Sequence, residues 1–265
     1  MGVLALVQGL SQEELQKEIL HIWSDSKHEW LIPIHLGPVD LSINKQIWFL
    51  FLGAAVTFIL LFIGARWAKN RPGAYQVVVE ELYGFGRKYL GGQMSEEGMK
   101  WMPYTLTLFI FILTLNIIGL FPNAYPVTSN IAFTLVLALM TLILYHYQGI
   151  KRNGFTTYYA SFVPPNMPAK PIMVPLMFTI EFLQQFITQP LTLAVRLYAN
   201  ILAGHLIIFV FLGLILFLTP FLAIVSVPMA VIFWAFEIFV ALIQAYIFAI
   251  LTQVYIEMAI NAGHE

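Results

Sequence analysis

The chain contains no cysteine. A disulfide framework, a thiolate metal centre and a cysteine nucleophile are therefore all excluded. Charge is nearly as scarce: 10% of the 265 residues are Asp, Glu, Lys or Arg, against about 25% in a soluble domain. With 13 basic and 14 acidic side chains, there is no charge field to draw in nucleic acid or an acidic partner. The phosphate loop G-x-x-x-x-G-K-[ST] is missing, so the chain is not an enzyme of nucleotide hydrolysis on its own. The opening residues MGVLALVQGL have no basic leader and no small-x-small cleavage site, so no signal peptide is expected. Leu6 breaks the myristoylation pattern. In place of all this the chain is apolar, 60% hydrophobic with a mean hydropathy of +0.81, which puts it in the membrane class.

The apolar runs divide into five expected spans, over about 46–65, 101–122, 130–147, 171–218 and 221–260. The fold class expected is an all-α membrane protein, with residues 46–265 as a single membrane domain. Between Lys45 and Arg66 lie 20 uncharged residues, enough to cross ~30 Å of hydrocarbon once at about 1.5 Å per residue. NAYPVTS makes a tight turn between the second and third spans. Lys and Arg fall in the loops after spans one and three, whereas loops 123–129 and 219–227 carry none. The positive-inside rule then puts the N-terminus outside and the C-terminus in the cytoplasm. Residues 11–30 suggest an amphipathic helix in an extracytoplasmic 1–45 segment, with Ser11 and Glu14 as a capping box. His21, His28 and His35 recur every seven residues, but Pro33 interrupts the helix that would align them, and no metal or cofactor is expected. Residues 76–90 suit an interfacial helix.

The last two segments are too long for simple spans. Even from Pro190, a candidate break, the first runs about 42 Å, and the second, from Ser226, about 52 Å. Both must tilt steeply, as a long helical hairpin. Its polar residues are few: Arg196, Asn200 and His205 on one arm, Glu237 and Gln244 on the other. In an antiparallel pair turning near Thr219–Pro220, residues at one depth have numbers with a constant sum. Arg196 with Gln244 and His205 with Glu237 meet that condition to within two residues. At about 100° per residue, Asn200 lies about 40° from Arg196 around the helix and His205 about 180° away. From Phe182 to Phe236 Arg196 is the only fixed charge. It costs about 2.5–3.5 kcal/mol at mid-membrane on insertion scales, and it cannot shed its proton. A plain buried ion pair would account for His205 and Glu237, which would otherwise hand a proton along. Arg196 has no obvious partner in its own chain, so the natural partner is a membrane carboxylate on another.

These residues carry a resemblance. PLTLAVRLYANILAGHL followed by FEIFVALIQAYIFAILTQVYIEMA closely resembles the subunit a family of F-type ATP synthases. The likeness is strong from Thr188 to Ala259, fair over PYTLTLFIFILTLNIIGLFPNAYP and absent from residues 1–45. It implies a proton-conducting stator packed against a rotating c-subunit ring, with b-type peripheral stalk subunits, other ATP synthase subunits and membrane lipid as partners. It also implies two offset half-channels open to opposite sides, coupling proton flow to ring rotation and so to ATP synthesis. By resemblance Arg196 is the essential arginine, which ionises each arriving ring carboxylate and separates the half-channels. Gln244 and Asn200 are polar neighbours of that site, and His205 with Glu237 is the polar pair of the outer half-channel. The acid and the histidine are exchanged relative to many bacterial members, as in mitochondrial ones. A bacterial plasma membrane is the expected location, with the mitochondrial inner membrane as the other candidate. The ring decides between H⁺ and Na⁺; a His–Glu pair favours H⁺.

Three rival readings follow from the residues. A self-contained secondary cation or proton transporter would need its own carboxylate near Arg196 and usually an internal repeat. A voltage sensor would need several arginines at helical spacing. An assembly scaffold would use Arg196 merely to dock a partner. None of the three explains the register.

Overall fold

The computed structural model describes residues 35–36, 39–40, 44–66, 74–92, 94–121, 124–163, 170–217 and 220–262. The expected helix over 11–30 lies outside them. Five helices are long and apolar enough to cross a membrane. They are α1 (Lys45–Arg66), α4 (Met102–Gly119), α5 (Ile131–Asn153), the run α7–α8 (Lys170–Leu183 and Gln189–Phe217) and α9 (Pro220–Asn261). Shorter elements link them: α2 (Ala74–Phe85) running into a π-helical turn over Gly86–Leu90, α3 (Glu96–Met99) and α6 (Phe155–Ala160). The helix expected over 76–90 is therefore present. The one described β ladder is a two-residue pairing of β1 (His35–Leu36) with β2 (Val39–Asp40).

Local signals explain the boundaries. Asn130 caps α5, its side chain accepting from the Ala132 N–H at 2.9 Å. Gly154 ends that helix at φ 78°, where a side chain would be strained. Pro220 opens α9, where a missing N–H is tolerated. The third span outruns its expected end at Tyr147 by six residues, because α5 continues through Lys151 and Arg152. Charged side chains at a span's end reach into the headgroup layer and need not terminate the helix. Pro190 does not break the fourth span either. The chain passes from α7 through a π-helical turn, Gln184–Thr188, into α8. In that wider turn the Gln189 N–H bonds to the Gln184 carbonyl. The next donor in the series would be Pro190, which has none. Tyr145 supplies the replacement, its hydroxyl donating to the Gln185 carbonyl at 2.8 Å.

α4 is the central helix. More than half of it is buried, against 11% of α1, so α1 lies at the margin and shows its apolar side chains outward. α8 packs along α9, and both pack on α5 or α4. The core is built from Leu106, Phe109 and Ile112 of α4 with Leu193, Leu197, Ala245 and Phe248 of the hairpin. Buried polar bonds pin α9 to the start of α4. Thr105 Oγ1 donates to Gln253 Oε1 at 3.0 Å, and Gln253 Nε2 donates to the Gly98 carbonyl at 2.7 Å. Four residues on, Glu257 accepts from Ser95 N at 2.9 Å and from Ser95 Oγ at 3.1 Å. At about 63 Å, α9 is twice the hydrocarbon thickness. It therefore lies steeply inclined, as the expected hairpin requires.

Candidate functional site

The register expected for the hairpin is the one found at its His–Glu level. His205 Nδ1 lies 3.0 Å from Glu237 Oε1. Ile201 and Ala241, four residues before His205 and four after Glu237, share a buried cluster with Leu120. Leu197 and Ala245, a further turn along each arm, share another. Gly204 makes the meeting possible: a Cβ there would fall on the Glu237 carboxylate. His205 also sits 3.0 Å from the Ile201 carbonyl and 3.2 Å from the Gly119 carbonyl. Only a doubly protonated ring donates at both nitrogens. Both Glu237 oxygens are buried without an aligned hydrogen-bond donor.

Arg196 lies on the outer surface of the hairpin. Among the described residues its side chain forms no ion pair and no hydrogen bond. It belongs to an exposed stripe with Thr192, Val195, Ala199 and Ala203, at helical spacing. Asn200 is half-buried. Gln244 is buried on α9, as is Glu237. The register sets Gln244 at the depth of Arg196, although no hydrogen bond joins the two. Arg196 and His205 thus face different surroundings, the first outward and the second into the bundle.

Sequence reading missed a cavity of about 640 Å³. Tyr145, Glu181, Gln185, Gln189, Tyr255 and Glu257 contribute its polar lining. Tyr255 is within electrostatic reach of Arg196. Tyr145, 5.8 Å from the Tyr255 ring, carries the wall to the π-helical turn, with Gln189 Oε1 3.1 Å from its hydroxyl. At the far side Tyr158 OH meets His146 Nδ1 at 2.7 Å. Burial, then the charges of Tyr159 and Glu181, holds the Tyr158 phenol well above the ordinary tyrosine range. It therefore remains an O–H and donates to His146. Glu181 and Glu257, each a carboxylate in an apolar run, are the two lining residues that sequence could have marked. A second polar group lies toward the other end. Buried Thr128 donates to Asn116 Oδ1 at 2.8 Å, and Asn116 Nδ2 to the Ala241 carbonyl at 3.3 Å, one helical turn from Glu237.

Comparison with known proteins shows the family. The family model described as ATP synthase A chain matches residues 47–257. ATP synthase subunit a of Rubrobacter xylanophilus is 62% identical, over 96% of this chain and 98% of its own. The protein of the same name from Myxococcus xanthus is 38% identical over 86% of this chain and 76% of its own. That from Maricaulis maris is 33% identical, over 89% and 95%. A family match from the first span through the buried C-terminal half of α9, with five apolar helices to carry it, makes this chain an integral membrane protein of the ATP synthase subunit a family.

Proposed function

We propose that this chain is the proton-conducting stator of its ATP synthase, and that Arg196 is where proton flow is coupled to rotation of a c-subunit ring. The observation that carries the reading is Arg196 itself. It is an unpaired guanidinium on the outer face of a membrane hairpin, in a stripe whose small residues Ala199 and Ala203 admit a close neighbour. A ring carboxylate arriving there meets a permanent cation, which favours its ionised form. The proton leaves through the 640 Å³ cavity past Tyr255, Tyr145 and Glu181. Reloading occurs at the other depth, where Asn116, His205 and Glu237 serve the outer half-channel. Asn200 and Gln244 keep the surroundings of Arg196 polar. The two routes leave the arginine on different sides of the hairpin, so a proton must ride the ring between them. Catalysis of ATP synthesis belongs to partner subunits, and b-type stalk subunits hold the stator still. The relatives are bacterial proteins, and the basic loops face the cytoplasm of a bacterial plasma membrane, with the N-terminus outside.

The test is Arg196→Ala in the assembled complex. ATP-driven proton pumping in inverted vesicles should vanish, while hydrolysis by the soluble head continues. Coupled pumping at the normal rate would refute the assignment. Because the chain has no native cysteine, a single cysteine at position 196 is a clean probe. It should cross-link to a cysteine placed next to the ring carboxylate.

A further inference from the structure

A second, smaller pocket lies where the start of α4 and the ends of α5 and α9 converge. Its volume is about 440 Å³ and its walls are Glu97, Lys100, Trp101, Gln148, Lys151, Arg152 and Ile260. Three cations face one carboxylate. Arg152 and Glu97 form an ion pair, while Lys100 and Lys151 form none with any described residue. The Lys151 ammonium rests 5.9 Å from the Tyr147 ring centre. Lys151 and Arg152 would suit the negative end of α5 in any protein. Lys100 comes from a separate element, and the dipole of α5 does not account for its place beside them. The remaining walls are Trp101, which packs edge-on against Tyr104 at 6.3 Å, and Ile260. Aromatic rings and apolar residues mixed with lysines at helix ends mark headgroup depth. The volume falls within the range of roughly 300–1,000 Å³ usual for small-molecule sites.

We infer that this pocket binds the phosphate of an anionic phospholipid, with Lys100 and Lys151 as counter-charges, Gln148 as a neutral donor, and Trp101 and Ile260 against the start of the acyl chains. A free phosphate offers the same anion, but it would leave the apolar walls in water. This inference does not depend on the proton path. The test uses the full-length chain purified in detergent with its native partners, mixed with phosphatidylglycerol or phosphatidylcholine and read by native mass spectrometry. Phosphatidylglycerol should be retained in preference. Lys100→Gln with Lys151→Gln should weaken that binding about 30-fold, each lysine near an anionic surface being worth about a factor of five. Lys100→Arg with Lys151→Arg should preserve it and would show that the fold tolerates change at these positions. Arg87→Gln with Lys88→Gln, in the basic turn after α2, should leave it intact. Equal retention of both lipids, unchanged binding in the glutamine variant, or an equal loss in the α2 variant would overturn the site. Displacement of phosphatidylglycerol by millimolar inorganic phosphate would reassign it to a soluble anion and overturn the lipid.

Discussion

A carboxylate whose two oxygens are shut from water, with one imidazole as its neighbour, works as half of a pair. His205 and Glu237 are 3.0 Å apart on different helices, so their order matters less than their union. Exchanging them, His205→Glu with Glu237→His, should restore more proton pumping than either single change. A double variant no better than the singles would show that the residues are not directly coupled. Gly204 is the silent third member. Gly204→Ala should push the carboxylate aside, lower proton flux and cost about 1–3 kcal/mol of stability in chemical denaturation, as overpacking does. Adding Glu237→Asp, which withdraws the carboxylate by a methylene, should return part of the flux. The pair was legible in sequence because two polar residues in long apolar runs can be set against each other by counting. Gly204 was not, since a glycine in a helix reveals what lies over it only when the opposing side chain is in place.

The elements show a similar division. Five apolar helices could be counted directly, and the length of the last two announced a tilted hairpin. The π-helical turn at Gln184–Thr188 could not be read, because it is stabilised from outside: Pro190 withholds a donor and Tyr145, some 40 residues earlier, provides one. Tyr145→Phe should leave the Gln185 carbonyl unsatisfied and cost about 1–3 kcal/mol in chemical denaturation. It should also slow proton release, since the same hydroxyl lines the cavity. A variant of unchanged stability would show that the turn does not need that bond. The continuation of α5 past Tyr147 was hidden for another reason. Lys151 and Arg152 look like the end of a span in sequence, yet in space they are the rim of a pocket.

For the molecule as a whole, the 640 Å³ cavity takes residues from α5, α6, α7, the π-helical turn, α8 and α9. No single stretch of sequence carries that assembly, so sequence could supply the arginine and not the proposed route away from it. The route makes its own prediction. On the proposed route, Glu181→Gln should slow both ATP-driven pumping and gradient-driven synthesis, because the exit lies in series with the entry at His205 and Glu237, and the loss should deepen as the cytoplasmic-side pH is raised. Both rates can be measured on the same vesicles. Unchanged rates in both directions would place Glu181 outside the exit.

α9 is held unevenly along its length. From Ala241 to Ile260 it is largely buried and tied down by Gln253 and Glu257, whereas from Val227 to Phe239 most side chains other than Glu237 are exposed. It is clamped more firmly at one end, while the other arm is held by the His205–Glu237 contact and by Trp234 Nε1 donating to the Leu120 carbonyl at 3.1 Å. Gln244, and with it the depth of Arg196, falls inside the clamp. If the proposed ring turns slightly off-centre, it therefore displaces the more lightly held arm and leaves the gap at Arg196 unaltered.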